Sequence, residues 1–72
     1  MGGESVDCGL VACIIFDHFK YGLGTSILAR KYQGKIGATR IRKIISMAKE
    51  EFEKTSDFNT VIENVCKRLG LI

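Results

Sequence analysis

Every apolar stretch of this chain recurs at helical spacing, and none alternates convincingly with period two. That property removes sheets and barrels from consideration, because a half-buried strand needs an apolar residue at every second position. Seventy-two residues hold one domain and no second one. The expected fold is therefore all-α, a compact bundle of four helices over residues 1–72. At this length a single core leaves little stability in reserve, so each helix must bury its apolar face against another or against a second copy.

Glycines and caps divide the chain. Ser5 suits the N-cap of a first helix reaching Phe19 or Lys20, with Asp7 in its opening turn, where a carboxylate meets the positive end of the macrodipole. Val6, Leu10, Val11, Ile14, Ile15, Phe16 and Phe19 lie nearly all round that helix, which predicts a central core helix or a dimer seam. Gly22 and Gly24 stop it. A short second helix runs from Thr25 or Ser26 to Tyr32, with Ile27, Leu28 and Tyr32 inward, and ends at Gln33-Gly34-Lys35. The third, from near Gly37 to about Lys54, carries Ile41, Ile44, Ile45, Ala48 and Phe52 on one arc. Ser56 or Asp57 caps the fourth, whose stripe is Phe58, Val61, Ile62, Val65, Cys66 and Leu69, and Gly70-Leu71 forms a Schellman stop.

Several function classes fall away on spacing. Cys8, Cys13 and His18 are five residues apart, about 140° around a helix at each step, so they cannot face one metal ion. The three cysteines read as buried reduced thiols of a cytoplasmic protein, and neither metal nor cofactor is expected. The apolar run Leu10–Phe16 is too short to cross a bilayer, and Val6 stands where a myristoylation motif wants Ser or Thr. No triad spacing, phosphate-binding glycine loop or paired carboxylate is present, and no small-molecule substrate is evident, so the chain reads as a non-enzyme. His18 is expected to serve at a helix end.

Charge carries the functional signal. The formal net charge of +3 conceals a sorted distribution. Between His18 and Lys49 there is no Asp or Glu, yet Lys20, Arg30, Lys31, Lys35, Arg40, Arg42, Lys43 and Lys49 all fall there. Both flanking segments are net acidic. On the third helix Arg40, Arg42 and Lys43 occupy the first turns and Glu50, Glu51 and Glu53 the second half. This order opposes the macrodipole, at a few tenths of a kcal/mol per charge. No acid stands three or four positions from those bases to offset them. Phosphate is the natural external compensation.

The string Gly24-Thr25-Ser26-Ile27-Leu28-Ala29-Arg30-Lys31-Tyr32, followed by Ile36-Gly37-Ala38-Thr39-Arg40-Ile41-Arg42-Lys43-Ile44-Ile45, resembles helix-turn-helix DNA-binding domains. The nearest flavour is the tri-helical type of resolvases, transposases and homeodomain-like regulators. Ala29 matches the small residue at the helix contact, Tyr32 the closing aromatic, Gly34 the turn glycine and Ile36 the apolar anchor. The resemblance implies a small transcriptional regulator that binds double-stranded DNA, with the third helix in the major groove. Thr39, Arg42, Lys43 and Ser46 would face outward with Arg40 on the flank, and Arg30, Lys31 and Lys35 would meet phosphates. A homodimer through helix 1 or helix 4 would span two half-sites. The alternative is a small protein-interaction module whose basic face meets an acidic partner.

Overall fold

Asp7 begins the first helix. Its backbone is extended and its carboxylate accepts the Leu10 N–H at 2.9 Å, satisfying one of the amide donors that a helix start leaves open. The computed structural model describes residues 6–72. The expected Ser5 cap lies outside the described residues, and Asp7 itself caps the helix. Helix α1 spans Cys8–Ile15 and continues into a π-helical turn, Phe16–Lys20, closed by the Tyr21 N–H on the Phe16 carbonyl at 3.2 Å. A single regular helix was expected here. The widened turn leaves the spacing of apolar residues nearly intact, so periodicity does not register it.

Helix α2 spans Thr25–Lys31 and follows Gly24. Leu28 is its one fully buried residue, whereas Ile27, expected inward, is 54% exposed. Seven residues turn only a narrow stripe inward. Leu28, with the half-buried Ala29 and Tyr32, fills it, and Ile27 stands about 100° away. Ile36 in the following turn is buried as an anchor. Helix α3, Ala38–Phe52, buries Ile41, Ile44 and Ala48, with Ile45 and Phe52 packed against the core from its edge. Helix α4, Phe58–Arg68, buries Val61, Ile62, Val65 and Cys66. Its end is the Schellman closure read from the sequence: Gly70 sits at φ +76°, the Leu71 N–H donates to the Cys66 carbonyl at 2.9 Å and the Gly70 N–H to that of Lys67 at 3.1 Å.

The described residues form an all-α bundle without strands. Val11, Ile14 and Ile15 of α1 join Leu28, Ile36 and the stripes of α3 and α4 in one core, each large aliphatic contributing about 1.5–3 kcal/mol by its burial. Helices α1 and α4 run antiparallel and are tied at both ends. At one end the Phe16 and Phe58 rings stack at 4.9 Å, with Phe52 and Phe19 extending the cluster. At the other a disulfide joins Cys8 to Cys66, whose Cα atoms are 5.8 Å apart. This pairing corrects the expectation of three buried reduced thiols, as does Cys13, which is exposed. The partners lie 58 positions apart and meet only through the antiparallel packing, which spacing along the chain does not reveal.

The α3–α4 seam carries the buried carboxylate of Glu51, 5% exposed. It accepts hydrogen bonds from Asn64 at 3.1 Å and Arg68 at 3.4 Å, and Arg68 also pairs with Glu50 at 3.0 Å. A carboxylate so placed requires those partners to offset its lost hydration. Among the described residues no helix is long and apolar enough to cross a membrane.

Candidate nucleic-acid interface

Helix α3 opens without help from its own side chains. Gly37 occupies the N-cap and has no side chain of its own to close the first turn. The turn before it is tightened by Gly34 at φ +89°, a conformation that side chains with a Cβ resist. The Lys35 and Ile36 amides both donate to the Tyr32 carbonyl, at 2.9 and 3.2 Å. Burial of Ile36 then fixes where α3 begins relative to α2.

At 100° per residue, Ile41, Ile44 and Ala48 point one way along α3 and Thr39, Arg42, Lys43 and Ser46 the other. All four of the latter are exposed. Arg40 sits on the flank, exposed, and with Thr39 and Lys43 it lines a cavity of about 220 Å³ floored by Val6, Ile44 and Leu69. On the other flank, an open concavity of about 610 Å³ lies between α2 and the start of α3, lined by Ser26, Ala29, Arg30, Gln33, Gly34, Ile36, Gly37 and Ala38. Arg42 stands one turn beyond Ala38 on the same side of α3. The concavity sets Arg30 across from Gly37 and Ala38 at the start of α3.

Two expected contributors turn elsewhere. Lys31 reaches back to the π-helical turn, pairing with Asp17 at 2.8 Å and lying over the Tyr32 ring at 5.4 Å. The Tyr32 hydroxyl donates to the same Asp17 oxygen at 2.6 Å. Burial and the adjoining Asp17 carboxylate push the Tyr32 hydroxyl up to about 12. Burial by itself would raise Asp17, but the hydrogen bonds from Lys31 and Tyr32 prevail and hold it below the ordinary carboxylate range. The same hydrogen bond raises Lys31. The cluster anchors α2 to the turn after α1, helped by His18, whose Nδ1–H donates to the Leu23 carbonyl at 2.8 Å. Lys35 also faces the α1 side, beside Asp7, Cys13 and Tyr32.

Six of the acids among the described residues are engaged away from Arg42 and Lys43. Asp7 and Asp57 cap helices, Asp17 holds Lys31, Glu50 and Glu51 hold Arg68, and Glu63 pairs with Lys67 at 3.4 Å. Among the described residues Arg30, Lys35, Arg42 and Lys43 make no ion pair. Ser26, one turn before Arg30 and lining the same concavity, is a hydroxyl that the sequence reading passed over. The i, i+4 spacing to Arg30 is the signal that would have found it. No three His, Cys, Asp or Glu side chains among the described residues stand close enough to share a metal ion. Comparison with family models, with curated proteins and with solved structures found no match.

Proposed function

We propose that this chain binds double-stranded DNA, as a small transcriptional regulator that presents the N-terminal half of α3 to the major groove. One observation carries the reading: Arg42 and Lys43, exposed in the first turns of α3, have no carboxylate partner among the described residues. Positive charge at the positive end of a helix is compensated by a polyanion. Arg42 and Lys43 are assigned to base edges or nearby phosphates, Thr39 and Ser46 to contacts beside them, and Arg40 to the flank. Arg30 serves the phosphate backbone across the α2–α3 concavity, with Ser26 and Gln33. Lys31 and Lys35 contribute peripheral field only. A cytoplasmic location belongs to this reading.

The proposed homodimer through α1 or α4 has a narrow basis, because Val11, Ile14 and Ile15 of α1 and Val61, Ile62, Val65 and Cys66 of α4 already lie inside the single chain's core. Sedimentation equilibrium decides it.

The deciding experiment is a titration of the protein into mixed-sequence duplex DNA at several salt concentrations. Binding should weaken steeply, with log K falling by roughly 3–5 per decade of salt as about four to five phosphates are neutralised. Arg42→Ala should cost about 1–3 kcal/mol of specific binding. Failure of micromolar protein to shift the duplex at low salt would sink the reading and leave the acidic-protein partner as the use of this face.

A further inference from the structure

We propose that the Cys8–Cys66 pair is a thiol–disulfide switch that fastens the first turn of α1 to the end of α4. Cys66 is wholly buried, while Cys8 is partly exposed at the first position of α1. The two sulfurs therefore differ in access. The start of a helix favours the thiolate of a cysteine placed there, and an apolar interior favours the thiol. Exchange enters at Cys8. With oxidised glutathione as oxidant, the Cys8 thiolate attacks one glutathione sulfur, forming a mixed disulfide and releasing one reduced glutathione. The Cys66 thiol then gives up its proton and attacks the Cys8 sulfur, expelling the second. Two thiols and one glutathione disulfide become one protein disulfide and two glutathione thiols, and the reverse opens the bond.

The segment it controls is otherwise held lightly. The first turn of α1 rests on the exposed bond from the Leu10 amide to Asp7 and on the Val11 amide donating to the Asp7 carbonyl at 3.1 Å. Bonds in the first turn of a helix open at smaller cost than those of its interior. Two residues before Cys8, Val6 lines the 220 Å³ cavity with Thr39, Arg40 and Lys43 of α3 and Leu69 beyond α4. With the disulfide closed, Val6 stays seated against the N-terminal half of α3. With it open, the turn frays and that cavity loses a wall. Any effect on DNA rests on the function proposed above; the switch itself does not.

The test therefore uses no DNA. The full chain, as wild type and as Cys13→Ser to exclude scrambling with the third thiol, is equilibrated across glutathione buffers, quenched, alkylated with N-ethylmaleimide and weighed. Hydrogen exchange and thermal melting are recorded at both ends of the series. The switch predicts one two-electron transition that removes two alkylation sites. It also predicts at least about tenfold faster exchange at the Leu10 and Val11 amides on reduction, and a Tm roughly 10 °C higher when oxidised. Cys8→Ser/Cys66→Ser should behave as the reduced form in every buffer, and reduced wild type supplies the same comparison without substitution. Full alkylation of Cys8 and Cys66 in oxidised glutathione overturns the proposal. So does equal protection of Leu10 and Val11 in both forms.

Discussion

Helices α3 and α4 lie side by side, share one core and are both amphipathic, yet their electrostatic arrangements are opposite. Helix α4 is built for its own stability. Asp57 caps it by accepting the Thr60 amide at 3.2 Å and the Thr60 hydroxyl at 2.6 Å, Lys67 and Arg68 occupy its last turn, and both of those bases are paired with carboxylates. Helix α3 has no side-chain cap and carries its bases at the start and its acids near the end. Its packing is as good as that of α4, since Ile41 and Ala48 are completely buried. Electrostatic complementarity within the fold was thus available to this chain: it joins the end of α4 to the acids of α3 and does not extend to Arg42 and Lys43 among the described residues. If the face binds a polyanion as proposed, this difference is where the partner would act, and it yields experiments in which stability and binding move in opposite directions.

The largest effect is expected from reversing charge on α3. Arg42→Glu/Lys43→Glu places carboxylates at exposed positions near the positive end of the helix. If the face binds duplex DNA, affinity at low salt should fall by about 100-fold or more, while Tm holds or rises. The opposite substitution on α4, Lys67→Glu/Arg68→Glu, should lower Tm and leave DNA affinity within a few-fold. A comparable loss of DNA binding from both pairs would show that net charge alone governs the interaction and would dissolve the distinction between the helices.

Next in size is the anchor that fixes α2, and through it the α2–α3 pair. Burial and the adjoining Asp17 carboxylate push Tyr32 in the folded protein from its ordinary 10 up to about 12. A raised folded value means that its contribution is fully present below pH 10 and disappears as pH climbs toward 12. The loss should be on the order of 1 kcal/mol once solvent screening is allowed for. Asp17, held below its ordinary value, behaves in the opposite sense: its contribution is present above about pH 4 and is lost on acidification below that. Tyr32→Phe should flatten the alkaline limb of a stability–pH profile and, by removing one of the two hydrogen bonds that hold Asp17 low, make the acid limb shallower as well. An unchanged alkaline limb in Tyr32→Phe would mean that the Asp17 contact does not hold α2.

Much of this arrangement was legible in the sequence, and the reasons it was or was not are physical. The stripes of α3 and α4 follow a 3.6-residue period, and the Gly70-Leu71 stop has a local geometry that a dipeptide can announce. The sorted charges of α3 could be read because they are defined by position along one helix. What escaped were events requiring two distant segments or one extra residue. Cys8 meets Cys66 only because α1 and α4 pack antiparallel. Lys31 is taken from the basic face by Asp17, fourteen positions earlier, after the π-helical turn has set Asp17 toward α2. Ile27 was read as inward because it is apolar, whereas α2 offers a stripe only one residue wide.

The helix caps give the finer discrimination. Asp57→Ala removes both bonds to Thr60 and should lower Tm by roughly 3–6 °C with no change in DNA affinity. Asp57 is held below the usual carboxylate range by those same bonds from Thr60, so its contribution, too, is present above about pH 4 and fades as pH falls further.

The smallest change is the most diagnostic. Thr39→Glu puts a carboxylate in the opening turn of α3, at an exposed position two residues after the cap. Interaction with the helix dipole should stabilise the fold by about 0.3–1 kcal/mol, measurable as a rise of a few degrees in Tm. The same carboxylate, beside Lys43 and facing outward with Arg42, would meet DNA phosphate with like charge and should weaken duplex binding several-fold. A gain in stability coupled to a loss in affinity is the signature of a helix start adapted to a polyanion. If Thr39→Glu gains stability and binds duplex DNA unchanged, the start of α3 lies outside the interface, and the contact must be sought along the Arg30 side of the concavity.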